Sequence, residues 1–233
     1  MQLKEVVPWG RTLAEYRAMF DLSDFDLHKN ILGCGDGPAS FNAEMTEAGH
    51  TVISIDPVYQ FSAAQIRERV EAVYEPIISQ VKQQPEKYMW TNFRDADELG
   101  QARLAAMETF LEDYADNENA DHYQNQALPK LNFRNQQFEI CLCSHLLFLY
   151  SQQLSLEFHL QSVQELLRVA AEVRIFPLID LDGTPSPYLD EIRQTLTDQG
   201  YSVTIQTVAY EFQKGGNQML KILTQREFGV SKD

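Results

Sequence analysis

Asn30-Ile-Leu-Gly-Cys-Gly-Asp-Gly-Pro-Ala-Ser-Phe41, followed by Thr51-Val-Ile-Ser-Ile-Asp56, reads as strand, glycine turn, helix, strand and acid. Ile31 and Leu32 form an apolar entry. Gly33, Gly35 and Gly37 allow a tight turn and a close approach of a ligand to the main chain. Pro38 suits the first turn of a helix, where its missing N–H costs nothing. Phe41, Met45 and Ala48 recur at helical spacing, and Gly49 ends the run. Val52, Ile53 and Ile55 make a second buried strand with Asp56 at its carboxyl end. In a parallel α/β sheet that edge is where ligands bind, and a carboxylate there can accept both hydroxyls of a ribose.

Two nucleotide-binding patterns compete for this turn. The dinucleotide fingerprint G-x-G-x-x-G, started at Gly33, meets Pro38 where its third glycine belongs. Started at Gly35 it meets Ser40, where a small residue is needed for close helix–strand packing. The stretch resembles instead the S-adenosylmethionine loop of the class I methyltransferases. Gly35-Asp-Gly-Pro-Ala39 lies on that loop with 17 residues from Ala39 to Asp56, against 19 if Gly33-Cys-Gly-Asp-Gly37 is used. The first register puts Ala39 where the family often has glycine and Gly33 where it often has an acid.

The flanking sequence agrees with a doubly wound, mostly parallel α/β sheet. Residues 62–82 read as a helix capped by Ser62, with Pro76 as a kink or division. A strand near His122–Leu128, a buried strand Phe138–Ser144, a helix Leu156–Ala171 capped by Ser155, and a strand Val173–Ile179 follow. A loop Asp180–Pro187, a helix Tyr188–Gln199, an alternating strand Tyr201–Val208, a Gly215–Gly216 hairpin and a strand Met219–Leu223 complete the pattern. This ending matches the class I methyltransferases, so the resemblance implies seven strands with the last antiparallel. No internal repeat is visible.

Two segments lie outside that frame within what reads as one domain over residues 1–233. Residues 1–29 form a helical cap, in which Thr12 and Glu15 make a capping box before Leu13, Tyr16 and Phe20. The segment either packs on the sheet, anchored by Trp9, or covers the ligand edge with Trp9, Arg11 and Tyr16. Residues 83–121 are a helical insertion, centred on Glu98–Tyr114 and ending in the acids Glu112, Asp113, Asp116, Glu118 and Asp121. It either contacts substrate or buttresses the core.

The resemblance assigns further residues. Gly33, Cys34, Gly35, Asp36, Gly37 and Pro38 would hold the methionine end of S-adenosylmethionine, and Asp56 the ribose. Pro57, Val58 or Tyr59, Ala127 and Leu128 would flank adenine, and Ser144 would close the pocket. Leu131-Asn-Phe133 before Phe138-Glu139 is similar to a loop and strand of small-molecule methyltransferases. Pro8-Trp-Gly-Arg11, Gly37–Asn42, Asp56–Tyr59, Ser144–Tyr150, Arg174–Pro177 and Tyr210–Gly216 resemble segments of an uncharacterised bacterial methyltransferase-like group. His145, at the end of the fourth strand, is either a general base or a residue that shapes the pocket.

Composition bounds the alternatives. The net charge of −15 argues against nucleic-acid and anionic-membrane partners; the methyltransferase resemblance carries the expectation of a small-molecule substrate. The opening residues lack a signal-peptide pattern, and no apolar run is long enough to span a membrane. Three cysteines, Cys34, Cys141 and Cys143, form a sparse, odd set expected of a reduced cytoplasmic protein. Cys141 and Cys143 read as core and no metal site is expected. A non-catalytic nucleoside-binding or sensing protein on the same fold is the alternative function; a nicotinamide-dependent oxidoreductase is disfavoured by Pro38 and Ser40.

Overall fold

A computed structural model describes residues 9–116 and 121–224. Pro8, Glu118 and the tail from Gln225, read from sequence as disordered, lie outside the described residues. The elements are α1 (Leu13–Phe20), β1 (Ile31–Cys34), α2 (Phe41–Glu47), β2 (Val52–Ile55), α3 (Ala63–Gln83) and α4 (Ala96–Tyr114). There follow β3 (Tyr123–Gln124), β4 (Phe138–Ser144), α5 (Leu156–Val169), β5 (Ala170–Phe176), α6 (Leu189–Asp198), β6 (Ser202–Thr207) and β7 (Gln218–Leu223).

The seven strands form one sheet in the order β3-β2-β1-β4-β5-β7-β6. Pairs from β3 to β5 are parallel, and β7 runs antiparallel to both β5 and β6. This is the doubly wound, seven-stranded class I methyltransferase arrangement. The apolar runs of β1 and β4 follow from burial on both faces. In β4, Cys141 and Cys143 point to the layer of α5 and α6, while Ile140 and Leu142 point to that of α1 and α2. All three cysteines are buried and free. Cys34 pairs with Ile55 on one side and Cys143 on the other. The chain therefore leaves β1 and β4 at adjacent carboxyl ends, where the strand order reverses and a ligand crevice opens.

Local chemistry fixes the helices. Thr12 and Glu15 form the expected capping box of α1, and Ser62 and Ser155 cap α3 and α5. Arg174, buried on β5, ties the end of α1 to the sheet by donating to the carbonyls of Phe20 at 2.6 Å and Asp21 at 3.1 Å. Among the described residues no helix is long and apolar enough to cross a membrane.

Several boundaries differ from the sequence reading. Helix α3 is unbroken at Pro76, and Pro76 and Ala72 lie on its exposed side, where the carbonyl that loses its partner is open to solvent. Pro38 precedes α2, which starts at Phe41 after Ser40, and Ala48 is exposed at its end. The third strand stops at Gln124, not near Leu128: Gln126 N–H turns back to the Gln124 carbonyl, and Ala127 bridges only Lys130. Pro129 has no N–H to extend a ladder there. Helix α5 ends at Val169 and β5 starts at once, so Pro177 follows the strand. The β6–β7 connection is a ten-residue loop, 208–217, rather than a tight Gly215–Gly216 hairpin.

Candidate functional site

The reversal of strand order opens a cleft of about 400 Å³, in the range of small-ligand pockets (roughly 300–1,000 Å³). The turn after β1 forms its floor. Gly35 and Gly37 have φ of +71° and +53°, left-handed values that a side chain resists. Gly37 N–H donates to Asp56 at 3.1 Å, and Tyr59 O–H donates to the Gly37 carbonyl at 2.8 Å. Tyr59 thus supports the turn, while Val58 lines the cleft. Asp56 also caps its own turn, accepting from Val58 N–H at 2.8 Å.

Of the residues read from sequence, Cys34, Gly35, Asp36, Gly37, Asp56, Pro57, Val58, Ala127, Leu128, Ser144, His145, Trp9 and Arg11 all border this cleft. Three do not reach it, which corrects their assignment. Pro38 is covered by the N-terminal segment, whose Gly10 packs so closely that an added Cβ would stand 2.1 Å from the Pro38 carbonyl oxygen. Gly33 lies beneath Asp36, whose Oδ2 would be 1.8 Å from a Cβ at position 33. Tyr16 is buried, stacked on Phe41 at 4.1 Å, and spends its hydroxyl on Asp36. It is a prop for the turn, not a cover over the ligand edge.

The carboxylate of Asp36 occupies the place of a side chain at position 33, where the register had left an acid missing. Tyr16 O–H donates to it at 2.7 Å and Ser54 O–H at 2.6 Å, and Asn42 donates to Ser54 at 3.0 Å. Burial raises the Asp36 pKa to about 7, against the two hydroxyl donors and with help from the charge of Asp56. Burial also raises Asp56, to about 6, against its two backbone donors. Each acid holds its proton more tightly folded than unfolded. Their contribution to ligand-free stability is therefore complete below the unfolded pKa near 4 and is lost as pH rises through about 6 and 7.

A second, inner cavity of about 110 Å³ adjoins the cleft, and Trp9, Arg11 and His145 border both. Its walls come from α3, α4, the end of β5 and the 208–217 loop, with Leu149, Phe176, Ile179 and Phe212 among the apolar faces. The insertion contributes Tyr88, Leu99 and Arg103, and the 180–187 loop contributes Leu181. Tyr210, Phe212 and Gln213 lie in a segment that the sequence marked only by resemblance and as a hairpin turn, so they were not assigned to the site. Arg103 is 1% exposed and gives Glu15 two bonds at 2.5 and 2.6 Å; Tyr210 O–H donates to the same carboxylate at 2.9 Å. The ion pair locks α1, α4 and the 208–217 loop together.

His145 has φ of +50°, and its ring meets Phe176 edge-on at 5.4 Å. Its Nδ1 bonds the Ser144 hydroxyl at 3.0 Å, and its Nε2 makes no hydrogen bond among the described residues. Burial, then the charges of Arg11 and Arg103, hold its pKa well below the usual value. The ring is therefore neutral at physiological pH, with a free nitrogen in the wall between the two spaces.

No family model matches the chain. The uncharacterised protein MJ0045 of the archaeon Methanocaldococcus jannaschii is 34% identical over 223 residues, spanning 95% of this chain and 98% of that protein. Among solved structures, a putative S-adenosylmethionine-dependent methyltransferase from Methanococcus maripaludis is similar at a TM-score of 0.47 and 8% identity, over 94% of this chain and 85% of its own. The magnesium protoporphyrin IX methyltransferase of Synechocystis, solved with S-adenosylmethionine bound, gives a TM-score of 0.46 at 14% identity, over 86% of this chain and 72% of its own. The fold assignment rests on the strand order and the reversed last strand. By its identity to MJ0045 along nearly the whole of both sequences, the chain belongs to that protein's family, on a class I methyltransferase fold.

Proposed function

We propose that the protein is an S-adenosylmethionine-dependent methyltransferase acting on a small molecule. The observation that carries this reading is the pairing of the cleft of about 400 Å³ with an inner cavity across a shared wall of Trp9, Arg11 and His145. The cleft's residues fit the cofactor: a glycine turn with two left-handed positions, a carboxylate at the end of β2 for the ribose, and Val58, Ala127 and Leu128 on its flanks. When bound, S-adenosylmethionine would supply a methyl group on a positively charged sulfur: an acceptor lone pair would bond to the methyl carbon as the carbon–sulfur bond breaks, leaving its electron pair on sulfur.

This chain's residues contribute mainly by positioning and by excluding water. The carboxylates of Asp36 and Asp56 suit a cationic ligand. The apolar inner walls desolvate the acceptor. Neutral His145 can take a proton from an acceptor hydroxyl or amine at its free Nε2. The alternative, a nucleoside-binding or sensing protein, has the same cleft and is separated by turnover.

Two outcomes follow. Asp56→Ala is expected to weaken S-adenosylmethionine binding by roughly 1–3 kcal/mol, the scale of hydrogen bonds to a charged group. Isothermal titration checks it, and unchanged affinity in a folded variant contradicts the ribose assignment. Because the ionised form of Asp56 accepts on both oxygens and its pKa lies near 6, wild-type affinity is expected to rise between pH 5.5 and 8 and to level off above the pKa values of the two acids. Titrations across that range check the slope; affinity that falls as pH rises contradicts a role for the ionised acids.

A further inference from the structure

The inner cavity contains one charge that the fold leaves unanswered. Arg11 donates through Nη1 to the Trp9 carbonyl at 3.0 Å. Its Nε is buried without a hydrogen-bond partner, and among the described residues it makes no ion pair. The neighbouring cation has its ion pair: Arg103 binds Glu15 through both Nη atoms and also donates to the Gly10 carbonyl and the Tyr210 hydroxyl, although its Nε, like that of Arg11, is buried without a partner. Glu15 is fully engaged, since it accepts from Thr12 and Tyr210 as well. Two guanidinium groups thus border the cavity, and the carboxylate beside them, Glu15, is taken by Arg103. Burial and the charge of Arg103 both push the Arg11 pKa down, so an anion placed beside Arg11 relieves an existing strain on its charge.

We propose that the acceptor is a small, mostly apolar carboxylic acid, held by its carboxylate on Arg11 with its body against Leu149, Phe176, Ile179 and Phe212. This rests on the methyltransferase reading of the same site. A guanidinium presents parallel donors that match a carboxylate, and the match is strongest where water is excluded. The apolar walls select against larger polar acids. Arg11 also borders the cleft, so the methionine carboxylate of the cofactor is the other source of such an anion. The cleft, however, has a second cation without an ion pair among the described residues, Arg69, whose guanidinium lies 3.9 Å from the centre of the Phe61 ring. Among the described residues that line the inner cavity, Arg11 is the one cation without an ion pair, which favours the acceptor as the source.

The test uses the full chain, alone and loaded with S-adenosylhomocysteine. Benzoate, phenylacetate and cinnamate are titrated beside their amides, which have nearly the same shape and no charge. The acids are expected to bind saturably and about tenfold or more tighter than the amides, as charge-assisted hydrogen bonds in a dry site require. Arg11→Met, which keeps the apolar stem, is expected to erase that preference, and Arg11→Lys to keep part of it. Equal binding of acids and amides, or no binding of any acid to either form, overturns the proposal. If Arg11→Met does not fold, the wild-type comparison and Arg11→Lys decide.

A second arm separates the source of the anion. Arg11→Met is titrated with S-adenosylhomocysteine and with 5′-methylthioadenosine, which lacks the amino-acid tail. Matching, small changes are expected. A loss confined to S-adenosylhomocysteine gives Arg11 to the cofactor and overturns the proposal. If the wild type binds no S-adenosylhomocysteine, the methyltransferase reading fails, and the acid–amide preference of the ligand-free chain still decides the role of Arg11.

Discussion

Glu15→Gln is expected to destabilise the protein by about 3–5 kcal/mol, the usual cost of leaving a buried charge without its partner. The substitution keeps the shape of the side chain but turns one acceptor oxygen into an NH2 donor, so the charge is lost together with the hydrogen bonds which that oxygen accepts. Arg103 is almost wholly buried and has no other carboxylate among its hydrogen-bond partners. Burial alone would raise the Glu15 pKa, but the charge and hydrogen bonds of Arg103 hold it at about 2. A depressed acid stabilises above its unfolded pKa and loses that contribution as pH falls toward 2, so the effect is fully present at neutral pH. For a chain of this size the melting midpoint is expected to fall on the order of 10 °C. Combining Glu15→Gln with Arg103→Met is expected to recover part of the loss, since no buried charge is then left without its partner. Urea or thermal unfolding of the wild type and the two variants reads this directly. A single-variant loss below about 1 kcal/mol, the range of exposed pairs, contradicts the buried-pair account.

Gly33→Ala is expected to cost several kcal/mol and to weaken nucleoside binding at least tenfold, though Gly33 itself never reaches the cleft. Its φ is not left-handed, so the backbone is not the objection. The new Cβ would fall 1.8 Å from Oδ2 of Asp36, which Tyr16 and Ser54 hold in place. Displacing Asp36 strands two buried hydroxyls, each costing about 1–3 kcal/mol, and tips the turn that carries Gly35 and Gly37. Asp36→Ala removes the obstacle, so the double variant Gly33→Ala/Asp36→Ala is expected to be more stable than Gly33→Ala alone. Their coupling, measured by a double-mutant cycle in urea, isolates the clash. Additive losses contradict it.

The architecture was legible where local pattern and burial agree. The glycine turn, the apolar runs of β1, β2 and β4, and the caps Thr12, Ser62 and Ser155 stand where the sequence put them. The boundary errors arose where solvent exposure or a local backbone turn overrides the residue pattern. Pro76 breaks no helix because its side of α3 is wet, and the edge strand β3 is short because the chain turns back at Gln126. Most of the cleft was readable, since a loop followed by an acid at fixed spacing is a local signal. The inner cavity was not. It joins Arg11, Leu99, Phe176 and Tyr210, and no spacing rule links residues so far apart. The misreading of Tyr16 has the same origin: from sequence it shares a helix face with Leu13 and Phe20, and only the fold reveals that its hydroxyl meets Asp36.

The most direct test of the central claim is calorimetric titration of the folded, ligand-free protein at pH 8 with S-adenosylmethionine and, separately, with S-adenosylhomocysteine. The site described here predicts saturable binding of both at one site per chain, lost or weakened together in Asp56→Ala. No heat of binding from either ligand at millimolar concentration, with the fold verified on the same sample, would contradict the assignment of this cleft to that cofactor.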